Sequence, residues 1–196
     1  MSNAWRTRQF EYTWLRTLTG SYVDFWHVTE DALVFSAKLL KLELAVEKRE
    51  QLLHAFLTIK AWPDALQALK SLKASGIRMA FLSNFTPAML DAAVQNSGLQ
   101  GIFEPHLSTD RVRAYKPDPR AYQMGVDAFG LKREEIAFAA FGGWDAAGAK
   151  AFGYRTFWVN RMNLPIEELG FAPDAIGATL QDLAKFVSQD EATAAR

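Results

Sequence analysis

Between Trp5 and Lys60 apolar residues recur every three or four positions, with no proline and a single glycine, Gly20. Phe10, Trp14 and Leu18 make one stripe; Val28, Leu33, Phe35, Leu39 and Leu40 make a second; Leu52, Leu53, Phe56 and Leu57 make a third. Residues at that spacing share one face of a helix. Gly20 and the stretch Leu42 to Ala45 interrupt the stripes, so this part predicts three antiparallel helices joined by short turns. Ser2 or Asn3 is a candidate cap for the first helix.

After Trp62-Pro63 the pattern changes to short continuous apolar runs alternating with amphipathic segments. The runs Ile77 to Leu82, His106 to Ser108, Ile136 to Phe141, Tyr154 to Val159 and Asp174 to Ile176 predict strands. Helices are predicted over Pro63 to Ala74, Pro87 to Asn96, Pro119 to Phe129, Asp145 to Phe152 and Leu180 to Val187, with Gly76 suited to the left-handed stop of the first. Strand and helix repeated in this way imply a parallel sheet covered on both faces. In such sheets ligands bind beyond the carboxyl ends of the strands. Ser83-Asn84 and Trp144-Asp145 follow strand ends, and Lys116 lies in the loop after the short strand near Leu107.

The chain has 196 residues, enough to bury a real apolar interior in one domain or a core with a helical insertion. Its 22 basic and 22 acidic residues are interspersed, which argues against nucleic acid as a partner. The absence of cysteine removes disulfides, zinc-cysteine sites and thiol catalysis, and suits a reducing cytoplasm. No apolar run reaches the length of a membrane helix, and the start lacks a signal-peptide pattern.

Each candidate for chemistry has a plain structural reading beside the functional one. Ser83, Asn84 and Thr86 could bind an anion where a helix opens, or simply cap that helix. Lys116 alone would be a solvated loop charge; its function depends on a carboxylate partner, for which Asp145 is the candidate. Asp145 could equally be an acidic residue favoured at a helix N-terminus. Phe10, Phe25 and Trp144 could wall an apolar pocket, although aromatics at helical spacing more often form core. Arg6 has the plain reading of an exposed helix charge. His27, His54 and His106 lack ligand spacing, and no metal role is assigned to them.

Taken together, Trp5 to Arg16, Tyr22-Val23-Asp24-Phe25, Thr29 to Leu33, Leu82-Ser83-Asn84, Tyr115-Lys116-Pro117-Asp118, Trp144 to Ala149 and Trp158 to Arg161 resemble the type II L-2-haloacid dehalogenases of the haloacid dehalogenase superfamily. The resemblance spans nearly the whole chain, helical insertion included. It implies a Rossmann-like α/β core over residues 61–190 with a helical cap subdomain over residues 5–60. It also implies hydrolysis without a metal or other cofactor, in which an aspartate carboxylate attacks C2 of an L-2-haloacid, expels halide with inversion, and forms an ester that water cleaves. By similarity Arg6 would receive the halide, Ser83 and Asn84 would orient the substrate carboxylate or the nucleophile, and Lys116 would stabilise negative charge. Asp145 would position Lys116 and help activate water, while Phe10, Phe25 and Trp144 would desolvate the carbon under attack. The partners implied are a small 2-haloacid and halide; dimers are common among the relatives, but the sequence does not give the oligomeric state.

Two departures from the family pattern carry consequences. Ala140 and Gly142 stand where the family often has serine and asparagine, which bears on the hydrolytic water. The family's opening strand, with an Asp-x-x-Gly-Thr turn, is expected before Trp5 and has no counterpart here, so the chain as written is expected to be inactive. Two other readings compete: a non-catalytic binding or assembly module that keeps the anion pocket, and a magnesium-dependent phosphatase. The second is the weaker, since Ala146, Ala147, Ala149 and Lys150 around Asp145 supply no second acidic ligand.

Overall fold

The structure, a computed structural model, describes residues 1–104 and 106–194. Three helices come first: α1 (Ser2–Leu18), α2 (Phe25–Leu39) and α3 (Val46–His54). Their limits follow the apolar stripes, and their short connections fall at Gly20 and at residues 42–45 as expected. The cap of α1 differs from expectation. Met1 occupies the N-cap position and no side chain caps it, because Ser2 and Asn3 lie inside the first turn. Asp24 caps α2 instead, its carboxylate accepting from the His27 amide at 2.9 Å.

The rest alternates as the sequence predicts: α4 (Ala65–Ala74), β1 (Leu82–Ser83), α5 (Pro87–Asn96), β2 (Leu107–Ser108), α6 (Pro119–Phe129), β3 (Ala137–Ala140), α7 (Gly143–Phe152), β4 (Arg155–Val159), β5 (Ala175–Gly177) and α8 (Leu180–Ala194). All strand pairs are parallel. The parallel strands expected from the pattern form two sheets. β1 pairs with β2, and β3–β4–β5 make a second sheet, with no ladder joining the two among the described residues. The predicted strand over 77–82 is correspondingly cut to two residues. Its carbonyls at Met79 and Phe81 accept from Glu104 and Leu107, both at 2.8 Å, so it pairs along one side only. A strand needs a partner to be held in register, and an apolar run alone does not supply one.

Coverage of the sheet is also uneven. Tyr122, Phe138, Ala146, Ala149, Phe152, Tyr154 and Trp158 form a core between β3–β4 and helices α6 and α7. Phe157, Val159 and Leu183 fill the opposite side beneath α8. Four of the five residues of β4 are therefore buried. In β3, by contrast, Phe138 and Ala140 are buried while Ala137 and Ala139 are exposed, so its second face is open. A further cluster of Phe25, Val28, Met89 and Tyr115 attaches the helical layer to the loops that follow β1 and β2. That attachment places α1 and α2 over the carboxyl ends of the strands.

Candidate active site

The loops that leave β1, β2 and β3 meet at one point. Beyond β1, Thr86 caps α5 by accepting from the Met89 amide, which leaves Ser83 and Asn84 for other work. The Ser83 hydroxyl accepts from the Phe85 amide at 3.1 Å and shapes the turn. Asn84 is buried, and its Oδ1 accepts from the Lys116 amide at 3.0 Å and from the Thr109 hydroxyl at 3.4 Å. The Asn84 side chain thus ties the β1 loop to the β2 loop at Lys116. The Lys116–Pro117 peptide bond is cis.

Lys116 and Asp145 are each 7 % exposed, and Lys116 Nζ lies 2.6 Å from Asp145 Oδ2. The pair expected from the sequence forms between the loop after β2 and the start of α7, with α6 and β3 between them in the chain. Asp145 reaches it from the first turn of α7, where its charge also suits the helix N-terminus, so both readings of this residue hold at once. Removing two charges from water is costly unless each is fully hydrogen-bonded, and a third residue completes the set. Tyr122, on α6, donates its hydroxyl to Asp145 Oδ1 at 2.8 Å. Burial, reinforced by the neighbouring Asp145 charge, holds the Tyr122 phenol far above its ordinary range, so it remains a donor. Both carboxylate oxygens of Asp145 are consequently engaged. Lys116 Nζ also stands 5.2 Å from the centre of the Phe138 ring.

Sequence reasoning missed Tyr122. Nothing in the run Pro119 to Phe129 marks it, but Ala146-Ala147-Gly148-Ala149 carries an indirect signal. A Cβ at Gly148 would stand 2.6 Å from the Tyr122 hydroxyl and 2.7 Å from Pro117 Cβ, so the small residue is what admits Tyr122 and the Lys116 loop against α7.

The aromatic residues divide. Trp144 packs 5.2 Å from Phe10 and 5.9 Å from Trp14, centre to centre, so α7 meets α1 through a patch of rings. Arg6 is exposed and lies over this patch, 5.4 Å from Phe10 and 5.7 Å from Phe141. Phe25 does not join Phe10 and Trp144. It lies 5.3 Å from Phe85 and 6.1 Å from Tyr115, in the apolar joint between helices and loops. Ala140 is buried at the end of β3, and a Cβ on Gly142 would fall 2.9 Å from the Trp144 indole nitrogen. The indole therefore occupies the space that a side chain at position 142 would need. Among the described residues, no three His, Cys, Asp or Glu side chains are grouped closely enough to hold a metal ion.

A parallel α/β core with a buried lysine–carboxylate pair at the carboxyl ends of its strands, beneath a helical layer, sets a charged site where sheets of this kind bind ligands. The family profile described as haloacid dehalogenase-like hydrolase matches residues 3–153. Haloacetate dehalogenase H-2 of Moraxella sp. (strain B) is 42% identical over 174 residues, which cover 89% of this chain and 78% of that protein. The (S)-2-haloacid dehalogenase of Pseudomonas sp. (strain YL) is also 42% identical over 174 residues, 89% of this chain and 75% of its own length. Among solved structures, one L-2-haloacid dehalogenase superposes with a TM-score of 0.93 at 40% identity, covering 95% of this chain and 84% of that one. The L-2-haloacid dehalogenase from Xanthobacter autotrophicus gives a TM-score of 0.87 at 33% identity, covering 94% and 84%. This chain belongs to the haloacid dehalogenase-like hydrolases.

Proposed function

We propose that this chain supplies the substrate-orienting and charge-stabilising residues of an L-2-haloacid dehalogenase site, which cleaves short 2-haloacids to 2-hydroxy acids. The observation that carries the reading is the buried Lys116–Asp145–Tyr122 set with Asn84 on the Lys116 amide, in a chain about two-fifths identical to haloacid dehalogenases. In this reading the three helices over residues 5–60 are a cap on a core over residues 61–190. An aspartate carboxylate attacks C2, the carbon–halogen bond breaks with inversion, and the halide leaves with the bonding pair toward Arg6. Water then adds to the ester carbonyl and releases the 2-hydroxy acid and the carboxylate. Lys116 offsets the negative charge beside the attacking carboxylate, Ser83 and Asn84 orient the substrate, and Asp145 fixes Lys116 and assists the water. Phe10 and Trp144 wall the carbon under attack, whereas Phe25 acts at one remove by holding the helices to the core.

Asp145 holds Lys116 and accepts from Tyr122, which suits a positioning carboxylate. The reading gives Asp145 that role and assigns the attack to none of this chain's aspartates. Two measurements test it. The chain alone is expected to release no chloride from L-2-chloropropionate, and ordinary turnover would sink the assignment of the nucleophile. Fusing an Asp-bearing β-strand ahead of Trp5 should produce chloride release that falls about a hundredfold or more in Lys116→Ala and Asp145→Ala. A folded fusion that stays silent overturns the dehalogenase reading. The occupied Asp145 favours one second reading, a module that binds 2-haloacids or 2-hydroxy acids without turnover. Calorimetric titration with L-lactate separates the two, since that module requires binding by the chain alone. Self-association into a dimer belongs to the first reading and is read from sedimentation at micromolar concentration.

A further inference from the structure

The loop that carries Lys116 is gripped from the opposite side by the connection between α1 and α2, and the grip has no part in the chemistry above. The Tyr22 hydroxyl donates to Asp110 Oδ1. The Tyr115 hydroxyl donates to the Val23 carbonyl at 2.6 Å, and the Tyr115 amide to the Thr17 hydroxyl at 3.0 Å. The two phenol rings are 4.9 Å apart, and the Arg113 guanidinium lies 5.1 Å from the Tyr22 ring. On the helical side the connection is itself held by Arg16, which donates to the Ser21 carbonyl at 3.1 Å and pairs with Asp31 at 2.6 Å. On the core side Asp110 is braced by its amide donating to the Ser108 hydroxyl.

Tyr115 and Lys116 are consecutive in the chain. Tyr115 is 1 % exposed and directed at the helical layer, while Lys116 is directed at Asp145. A short loop fastened at adjacent residues to two bodies cannot shift at one without shifting at the other. We propose that Tyr22 and Asp110 are positioning residues for Lys116: their hydrogen bond closes the helical layer on the core and thereby sets where the Lys116 amine stands. Burial raises the Tyr22 and Asp110 ionisations above their ordinary ranges, in keeping with a shielded contact. The inference takes from the proposed function only the importance of Lys116.

Reaction of lysine amines with trinitrobenzenesulfonate, located by peptide mass spectrometry on the whole chain, tests it without requiring turnover. Tyr22→Phe and Asp110→Ala should each raise labelling of Lys116 about five- to tenfold while Lys150 on α7 is labelled at an unchanged rate. Asp110→Asn keeps an oxygen acceptor for Tyr22 and should label at the wild-type rate, which a merely structural role for the carboxylate charge would not give. Unchanged Lys116 labelling in Tyr22→Phe overturns the proposal. So does an equal rise at Lys150, which would mean general loosening. Absence of dehalogenation leaves these labelling results intact, so the two ideas fail separately.

Discussion

Lys116, Asp145 and Tyr122 behave as one unit because each satisfies a group the others leave buried. Lys116→Met should cost about 3–5 kcal/mol, since it leaves the Asp145 carboxylate buried without its cation. The double variant Lys116→Met, Asp145→Leu should recover most of that loss, and urea denaturation of the single and double variants measures both. Tyr122→Phe removes one donor and should cost about 1–3 kcal/mol by the same measurement. A Tyr122→Phe protein as stable as wild type would show that water replaces the phenol. Ser83, Asn84, Lys116 and Asp145 were legible in the sequence because strand ends and turn residues mark their places. Tyr122 was not, since it lies in an ordinary helical run and becomes special only through the approach of α7. The grouping of Phe25 with Phe85 and Tyr115, apart from Phe10 and Trp144, was hidden for the same reason: aromaticity is visible in a sequence, but the rings an aromatic side chain packs against are not.

Helix contacts rest on similarly local details. Gly148→Ala would force a methyl group onto Tyr122 and Pro117, separating α6 from α7 at a cost of about 1–3 kcal/mol, which thermal denaturation would detect. Asp64, before α4, accepts from both the Arg161 guanidinium and the Leu180 amide at 2.9 Å, joining α4 to α8 and to the loop after β4. Burial alone would raise its carboxyl pKa, but the Leu180 amide and Arg161 outweigh that and hold it below the ordinary carboxylate range. A depressed folded-state pKa contributes stability that is full above the unfolded value, about 4, and is lost as the pH falls through the folded value. The stability advantage of wild type over Asp64→Asn should therefore be constant near neutrality and shrink below about pH 4. A difference that grows on acidification would contradict the assignment. Element type and order were readable because apolar periodicity, Pro at helix starts and Gly at helix stops are local signals. Extents were less so, as β1 shows, because strand length depends on a neighbour.

The molecule as a whole is a helical layer set over two parallel sheets that share one mouth but, among the described residues, no ladder. The inner edge of β3 has no strand beside it among the described residues, and the exposed Ala137 and Ala139 leave one of its faces uncovered. β4 lies between β3 and β5 and is buried nearly throughout. Hydrogen exchange should divide accordingly, with β4 amides protected at least about a hundredfold more than the amides of β3 that point away from β4. Uniform protection across β3 would mean that its free edge is covered in solution.

Periodicity, turn residues and the spacing of a few polar side chains are properties of the chain itself, so α/β alternation, the helical layer and the strand-to-helix junctions near Ser83, Lys116 and Asp145 could be read from the sequence. Pairing of distant segments is not such a property. The split of the sheet, the engagement of both Asp145 oxygens, the entry of Tyr122 and the clasp from Tyr22 to Asp110 all join residues far apart in sequence. Each depends on how closely two packed elements approach, and that distance is fixed only when the whole core has formed.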